Sequence, residues 1–186
     1  MRIAIIPARG GSKRIPRKNV REFHGKPIIA YSIETALKSK LFDIVMVSTD
    51  DQEIADLAKS IGAEVPFLRS TKNSDDFATT SDVLAEVIQY YKEQGTDLMN
   101  VCCLYPTSPL INDNDLKEAH NKFNEGEFDV LMSSVEYSFP IQRAFHLNGS
   151  NEIQLIQPEY IHSRSQDLKS SFHDAGAFYF FRVDPF

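Results

Sequence analysis

Short apolar runs alternate with helix-patterned segments from the first residues of this chain, and that alternation narrows the available folds more than any other feature. Residues 3–8 form an apolar run of strand length that ends at Gly10 and Gly11, and residues 27–40 carry Ile29, Ile33, Ala36 and Leu37 at helical intervals. The order then repeats: a strand at 43–49, a helix at 51–61 closed by Gly62, a strand at 64–68, and a helix at 81–93 with Val83, Leu84, Val87, Ile88 and Tyr91 on one face. A strand at 98–104, a helix at 114–123 and a strand at 129–135 follow. Apolar strands alternating with helices predict an α/β fold, a Rossmann-like, mainly parallel sheet with helices on both faces. In such sheets ligands gather at the carboxyl ends of the strands, where the strand order reverses.

The rhythm changes between 136 and 175. Pro140 and Pro158 flank two short strand candidates, 142–147 and 152–157, around the turn Asn148-Gly149-Ser150-Asn151, which reads as a β-hairpin. Strand alternation resumes at 176–182. The expected organisation is therefore an α/β core at 1–135 and 176–186, with 136–175 as an inserted hairpin and loop segment. Such an insertion serves as a lid or an oligomer contact, or is a plain surface loop.

Charge narrows the ligand. The chain has 186 residues, 42% apolar and 25% charged, with a formal net charge of −6, as expected of an ordinary globular domain. Residues 1–26 hold eight basic side chains against Glu22, a local balance of +7 that leaves −13 for the remainder. A net-negative chain is a poor match for nucleic acid, which needs a broad basic face. A short basic segment within it suits a small anion. No apolar run approaches the ~20 residues of a membrane span, and no signal-peptide pattern opens the chain. Cys102 and Cys103, adjacent in a strand and pointing to opposite faces, read as small buried hydrophobes. The expected setting is cytoplasmic. The five histidines show no metal-ligand spacing, and no Ser/His/Asp trio can be assembled.

The basic segment is centred on Ile6-Pro7-Ala8-Arg9-Gly10-Gly11-Ser12-Lys13-Arg14-Ile15-Pro16-Arg17-Lys18-Asn19. Glycines directly after a first strand let backbone amides approach a ligand, and the neighbouring Arg and Lys supply charge for phosphate. The stretch matches neither G-x-x-x-x-G-K-[ST] nor G-x-G-x-x-G. Pro16 blocks an immediate helix, so an extended loop is expected.

As a whole this loop resembles the signature of the CMP-sugar synthetases, which activate nine-carbon acidic sugars with CTP. Collinear matches follow: Val47-Ser48-Thr49-Asp50-Asp51, Arg69 with residues 76–81, Leu104-Tyr105-Pro106-Thr107-Ser108-Pro109-Leu110, Arg164-Ser165-Gln166-Asp167-Leu168 and Gly176-Ala177-Phe178-Tyr179. Ser138-Phe139-Pro140-Ile141-Gln142-Arg143-Ala144 and His173-Asp174-Ala175-Gly176 are most similar to the pseudaminic acid branch of that family.

The resemblance implies a nucleotide-diphospho-sugar transferase type of fold and a cytidylyltransferase that moves CMP from CTP to a nonulosonic acid, releasing pyrophosphate. Pseudaminic acid is favoured over sialic acid, and the product would serve surface glycan or flagellin glycosylation. Another sugar nucleotidyltransferase and an inactive CTP-binding dimerising module are the alternatives. Arg9, Gly10, Gly11, Ser12, Lys13, Asn19, Arg69 and Thr80 would bind the nucleotide, with Arg9, Lys13 and Lys18 stabilising charge during transfer. Tyr105, Arg164 and Tyr179 would meet the acceptor sugar. Read without the resemblance, Thr80 is equally a helix cap, Arg164 an exposed charge, Tyr179 core, and Asp50 either a functional carboxylate or the cap of the following helix. The family also implies Mg²⁺ and a homodimer built on 136–175. Its usual acidic D-x-D-type metal segment has no counterpart before Asp184-Pro185-Phe186, so the metal ligands are unassigned. A fragment and a degenerate relative are the two readings of that ending.

Overall fold

A computed structural model describes residues 1–183. The strands are β1 (Arg2–Pro7), β2 (Glu22–Phe23), β3 (Lys26–Pro27), β4 (Ile44–Ser48), β5 (Asn100–Leu104), β6 (Val130–Glu136), β7 (Phe145–Leu147), β8 (Ile153–Leu155) and β9 (Phe172–Arg182). The helices are α1 (Ile28–Ser39), α2 (Gln52–Ile61), α3 (Thr80–Glu93) and α4 (Asp113–Glu125). The chain divides into two compact units, Met1–Met132 with the stretch from Ala177 onward, and Ser133–Gly176.

The main sheet has the order β4-β1-β5-β9-β6. β1 pairs in parallel with β4 and β5, while β9 runs antiparallel to β5. The expected α/β class and mainly parallel core are thus present. Side-chain alternation splits the core into two layers. Ala4, Ile6, Val45, Val47, Cys102 and Leu104 pack under α1, α2 and α4, whereas Ile3, Ile5, Met46, Val101 and Cys103 pack under α3. The adjacent cysteines therefore face opposite layers. Both are free, and burial pushes the Cys103 thiol up to about 12 and Cys102 well above the ordinary range. Neither thiol has the character of a nucleophile.

The elements end where local chemistry dictates. Gly62, at φ 107, closes α2, and Asn112 caps α4 in a reciprocal capping box with Asp115. The strand expected at 64–68 is absent as a ladder. Glu64 makes one parallel bridge to Met46, after which Pro66 has no N–H to continue it. In the second unit, β7 and β8 form the expected antiparallel hairpin, shorter than the sequence pattern. Residues 141–143 turn instead as a 3₁₀ segment behind Pro140. Asn148 fixes the hairpin turn by accepting from the Ser150 and Glu152 amides, both at 2.9 Å.

His120 on α4 is buried beside Phe180, with ring centroids 5.9 Å apart. Burial, aided by the nearby Arg2 charge, lowers its affinity for a proton. The unfolded chain therefore binds this proton more readily, so stability is complete above the unfolded value, about 6.5, and declines below it. Urea denaturation at pH 7.5 and pH 5.5 is expected to show lower stability at the acidic end, and His120→Gln is expected to shrink that difference.

Candidate active site

β1 and β4 are parallel neighbours that set Pro7 opposite Ser48, so the turns leaving their carboxyl ends lie side by side. Ala8 N–H donates to the Ser48 carbonyl at 2.9 Å, and Gly10 N–H donates to Asp50 Oδ1 at 2.9 Å. Asp51 caps α2 by accepting from the Ile54 amide at 3.1 Å. It also pairs with Arg17, whose guanidinium holds the Asp51 carboxyl below the usual range. The loop from 9 to 17 enters no α-helix, as expected from Pro16, but it bends at 13–15 and turns at 16–17 rather than staying extended, and leads into one 3₁₀ turn, Lys18–Val20. That turn buries Asn19, whose Nδ2 donates to the Arg9 carbonyl at 2.9 Å.

Residues 69–80 form the opposite wall. Arg69 is buried; its backbone N–H donates to Thr49 O at 2.8 Å, and its guanidinium donates to Ser48 Oγ at 3.0 Å and to the Ser48 carbonyl. Burial lowers its proton affinity, and the charges of Asp50 and Glu86 act in the opposite sense. Asp76 accepts from Lys13 and, at 3.1 Å, from Arg9, and the Lys13 ammonium holds its carboxyl down. Thr79, in a capping box with Asp82, is the true cap of α3. Thr80 is thus the first helical residue, and its hydroxyl lies 3.2 Å from the Tyr105 hydroxyl.

Tyr105 leaves the end of β5, held by its own N–H to Ala177 O at 2.9 Å and by Ser32 Oγ, which donates to its carbonyl at 2.8 Å.

These walls enclose a cavity of about 530 Å³. Arg9, Ser12, Lys13, Lys18, Asn19, Arg69, Thr80 and Tyr105 all line it. Arg14, which the sequence reading had not singled out as a site residue, lines it as well; its membership of the basic run was the available signal. Burial, with Arg14 and Arg9 nearby, lowers the proton affinity of Lys18. Among the described residues, Arg14, Lys18 and Arg69 form no ion pair, so the cavity presents cations that a polyanion can neutralise.

Other expected residues lie elsewhere. Gly10 and Gly11 are outside the cavity lining. A Cβ on Gly10 would meet Asp51 Oδ2 at 2.5 Å, whereas one on Gly11 would meet nothing within 4 Å. Close packing on Asp51 is therefore what requires glycine at position 10. Tyr179 lines a second, largely apolar cavity of about 320 Å³ with Leu84, Cys103, Val130 and Phe181, and Thr80 and Tyr105 belong to both cavities. The Tyr105 and Tyr179 rings are 5.5 Å apart. Arg164 belongs to the second unit, where it is exposed at the start of a 3₁₀ turn.

Among the described residues there is no preformed cage for a magnesium ion, since no group of three His, Cys, Asp or Glu could hold a metal. The carboxylates beside the loop are engaged by Gly10 N–H, Arg17, Arg9 and Lys13. Asp184 lies outside the described residues.

A cytidylyltransferase family model matches residues 3–182. The chain belongs to that family. It is thus a nucleotidyltransferase by descent, and the loop described above stands in a cytidylyl-transferring fold. A pseudaminic acid cytidylyltransferase from Campylobacter jejuni is 49% identical over 178 residues, which cover 96% of this chain and 77% of that protein. A Helicobacter pylori protein named as both a pseudaminic acid cytidylyltransferase and a UDP-2,4-diacetamido-2,4,6-trideoxy-beta-L-altropyranose hydrolase is 39% identical, covering 99% of this chain and 35% of its own. The fold matches that of a CMP:2-keto-3-deoxy-manno-octonic acid synthetase complexed with CTP. The TM-score is 0.70 at 22% identity, over 98% of this chain and 74% of that one. No helix among the described residues is long and apolar enough to cross a membrane.

The two glycines are expected to respond differently to the same change. Gly10→Ala drives a methyl into Asp51 and is expected to cost about 1–3 kcal/mol in urea denaturation. Gly11→Ala is expected to stay within about 0.5 kcal/mol of the unaltered chain in the same measurement.

Proposed function

We propose that this chain transfers CMP from CTP to a nonulosonic acid, pseudaminic acid ahead of sialic acid. The anomeric hydroxyl oxygen bonds to the α-phosphorus, the bond from that phosphorus to the bridging oxygen breaks, the hydroxyl proton passes to solvent, and pyrophosphate leaves with the electron pair of the broken bond. The observation that carries this reading is the 530 Å³ cavity, which gathers Arg9, Lys13, Arg14, Lys18 and Arg69 at the carboxyl ends of parallel strands. Negative charge grows on the departing pyrophosphate as the bond breaks. Cations already fixed at that point stabilise the transition state without having to reorganise.

In this reading Arg9, Lys13 and Lys18 are the catalytic cations. Ser12, Asn19, Arg69 and Thr80 orient the nucleotide, and Gly10 and Gly11 shape its loop. Tyr105 and Tyr179 face the acceptor from the adjoining apolar cavity, and the place of Arg164 at the acceptor rests on the family resemblance. Magnesium belongs with the family's use of CTP, and no step is assigned to it. The setting is cytoplasmic, in keeping with two free buried cysteines.

Incubating the chain with CTP, magnesium and either pseudaminic or N-acetylneuraminic acid is expected to release pyrophosphate, faster with pseudaminic acid. No release with any nonulosonic acid would remove the activity.

The same reading makes the chain a homodimer through residues 136–175. Phe139 is 81% exposed there, and Leu147, Ile153 and Phe172 are at least 60% exposed. Sedimentation at micromolar concentration is expected to give the dimer mass, and Phe139→Asp with Ile153→Asp is expected to give the monomer.

A further inference from the structure

The loop that carries Arg9, Lys13 and Lys18 has few ties to the rest of the chain, and two of them converge on one dipeptide. Gly10 N–H donates to Asp50 Oδ1 at 2.9 Å. Arg17, at the far end of the loop and in the left-handed region at φ 54, is paired with Asp51. Both residues are partly buried, and Asp51 is held in turn. The Asp51 amide donates to Thr49 Oγ1 at 3.1 Å, and the Asp51 carboxylate caps α2. Asp50 is also, through its charge, the leading electrostatic support of the Arg69 guanidinium on the opposite wall. The loop's side-chain ties to the far wall run to exposed residues: Arg9 donates to the Asp75 carbonyl at 3.0 Å, and Arg9 and Lys13 pair with Asp76.

We propose that Asp50 and Asp51 are positioning residues that fix the register of the phosphate-binding loop. The register matters because cations a fraction of an ångström out of place lose much of their effect on a transferring phosphoryl group. Asp50 has the larger part. Its carboxylate oxygen accepts from the backbone of Gly10 itself, between Arg9 and the rest of the loop, whereas Asp51 holds the loop through the long Arg17 side chain. The inference rests on the nucleotide reading above only for the identity of the ligand.

Hydrogen exchange and CTP calorimetry on the whole chain test it together, with thermal melting as the control for folding. In Asp50→Ala, amide exchange across residues 9–20 is expected to accelerate about tenfold or more, and CTP affinity is expected to fall by about tenfold, with little change in melting temperature. Asp50→Asn keeps an oxygen acceptor for Gly10 N–H and is expected to recover most of both effects, as a merely electrostatic role would not. Asp51→Asn keeps the helix cap, loses the full ion pair to Arg17, and is expected to loosen residues 14–20 more than residues 9–12.

Unchanged exchange in Asp50→Ala would overturn the proposal. So would a loosened loop with undiminished CTP affinity, or an Asn variant as impaired as the Ala variant. Absence of CTP binding by the unaltered chain would count against the nucleotide reading, while exchange would still decide whether Asp50 holds the loop.

Discussion

The parallel pairing of β1 with β4 on one side and β5 on the other settles the position of everything chemically active in the first unit. Parallel strands end on the same side of a sheet. The residues that follow β1, β4 and β5 therefore converge without any long-range contact having to bring them together. The loop after β1 supplies the cations, the Asp50-Asp51 turn after β4 holds that loop, and Tyr105 after β5 forms the floor beside Thr80. Each of these strands is buried on both faces, so the convergence is backed by the core. A substitution within β1 would disturb the packing layer that its side chain faces and, through the strand, the cavity at its end.

Such a cavity is electrostatically unfinished by construction. Arg69 is buried with its hydrogen bonds made to neutral Ser48, and the nearby charges of Asp50 and Glu86 only partly offset its desolvation. Lys18 is depressed by burial and by two like charges. These costs are tolerable only because the sheet and the helix caps determine the backbone around them. An anion entering the cavity offsets them, so part of its affinity comes from countering the desolvation of these cations.

Much of this was legible in the residues because the signals were periodic or local. The strands β1, β4 and β5 read as continuous apolar runs, since burial on both faces removes polar residues from them. The helices were visible through their apolar stripes, and Gly62 marked an end that only a left-handed residue makes easily. Finer placements were not legible. Whether Thr79 or Thr80 caps α3 depends on one residue of register and on Asp82 reaching back, and both threonines have the right chemistry. The role of Gly10 is hidden in sequence for a similar reason. The pressure for glycine comes from Asp51, forty-one positions away, and becomes visible only when two strands are paired. The segment at 64–68 looked like a strand because Val65, Phe67 and Leu68 have the composition of one, and the missing N–H of Pro66 decided otherwise.

That interrupted segment also affects how the protein behaves in a crowd. β4 stands at an edge of the five-stranded sheet, where unpaired backbone groups usually invite another chain to add a strand. Here the Glu64 amide takes the Val45 carbonyl, the Glu64 carbonyl takes the Val47 amide, and the Arg69 amide takes the Thr49 carbonyl. The covering chain satisfies the edge without becoming a strand, and Pro66 denies a newcomer a regular row of donors on its outer side. The segment that brings Arg69 into the cavity thus also closes this edge to sheet growth, so protection of β4 against aggregation and delivery of Arg69 to the site come from one stretch of chain.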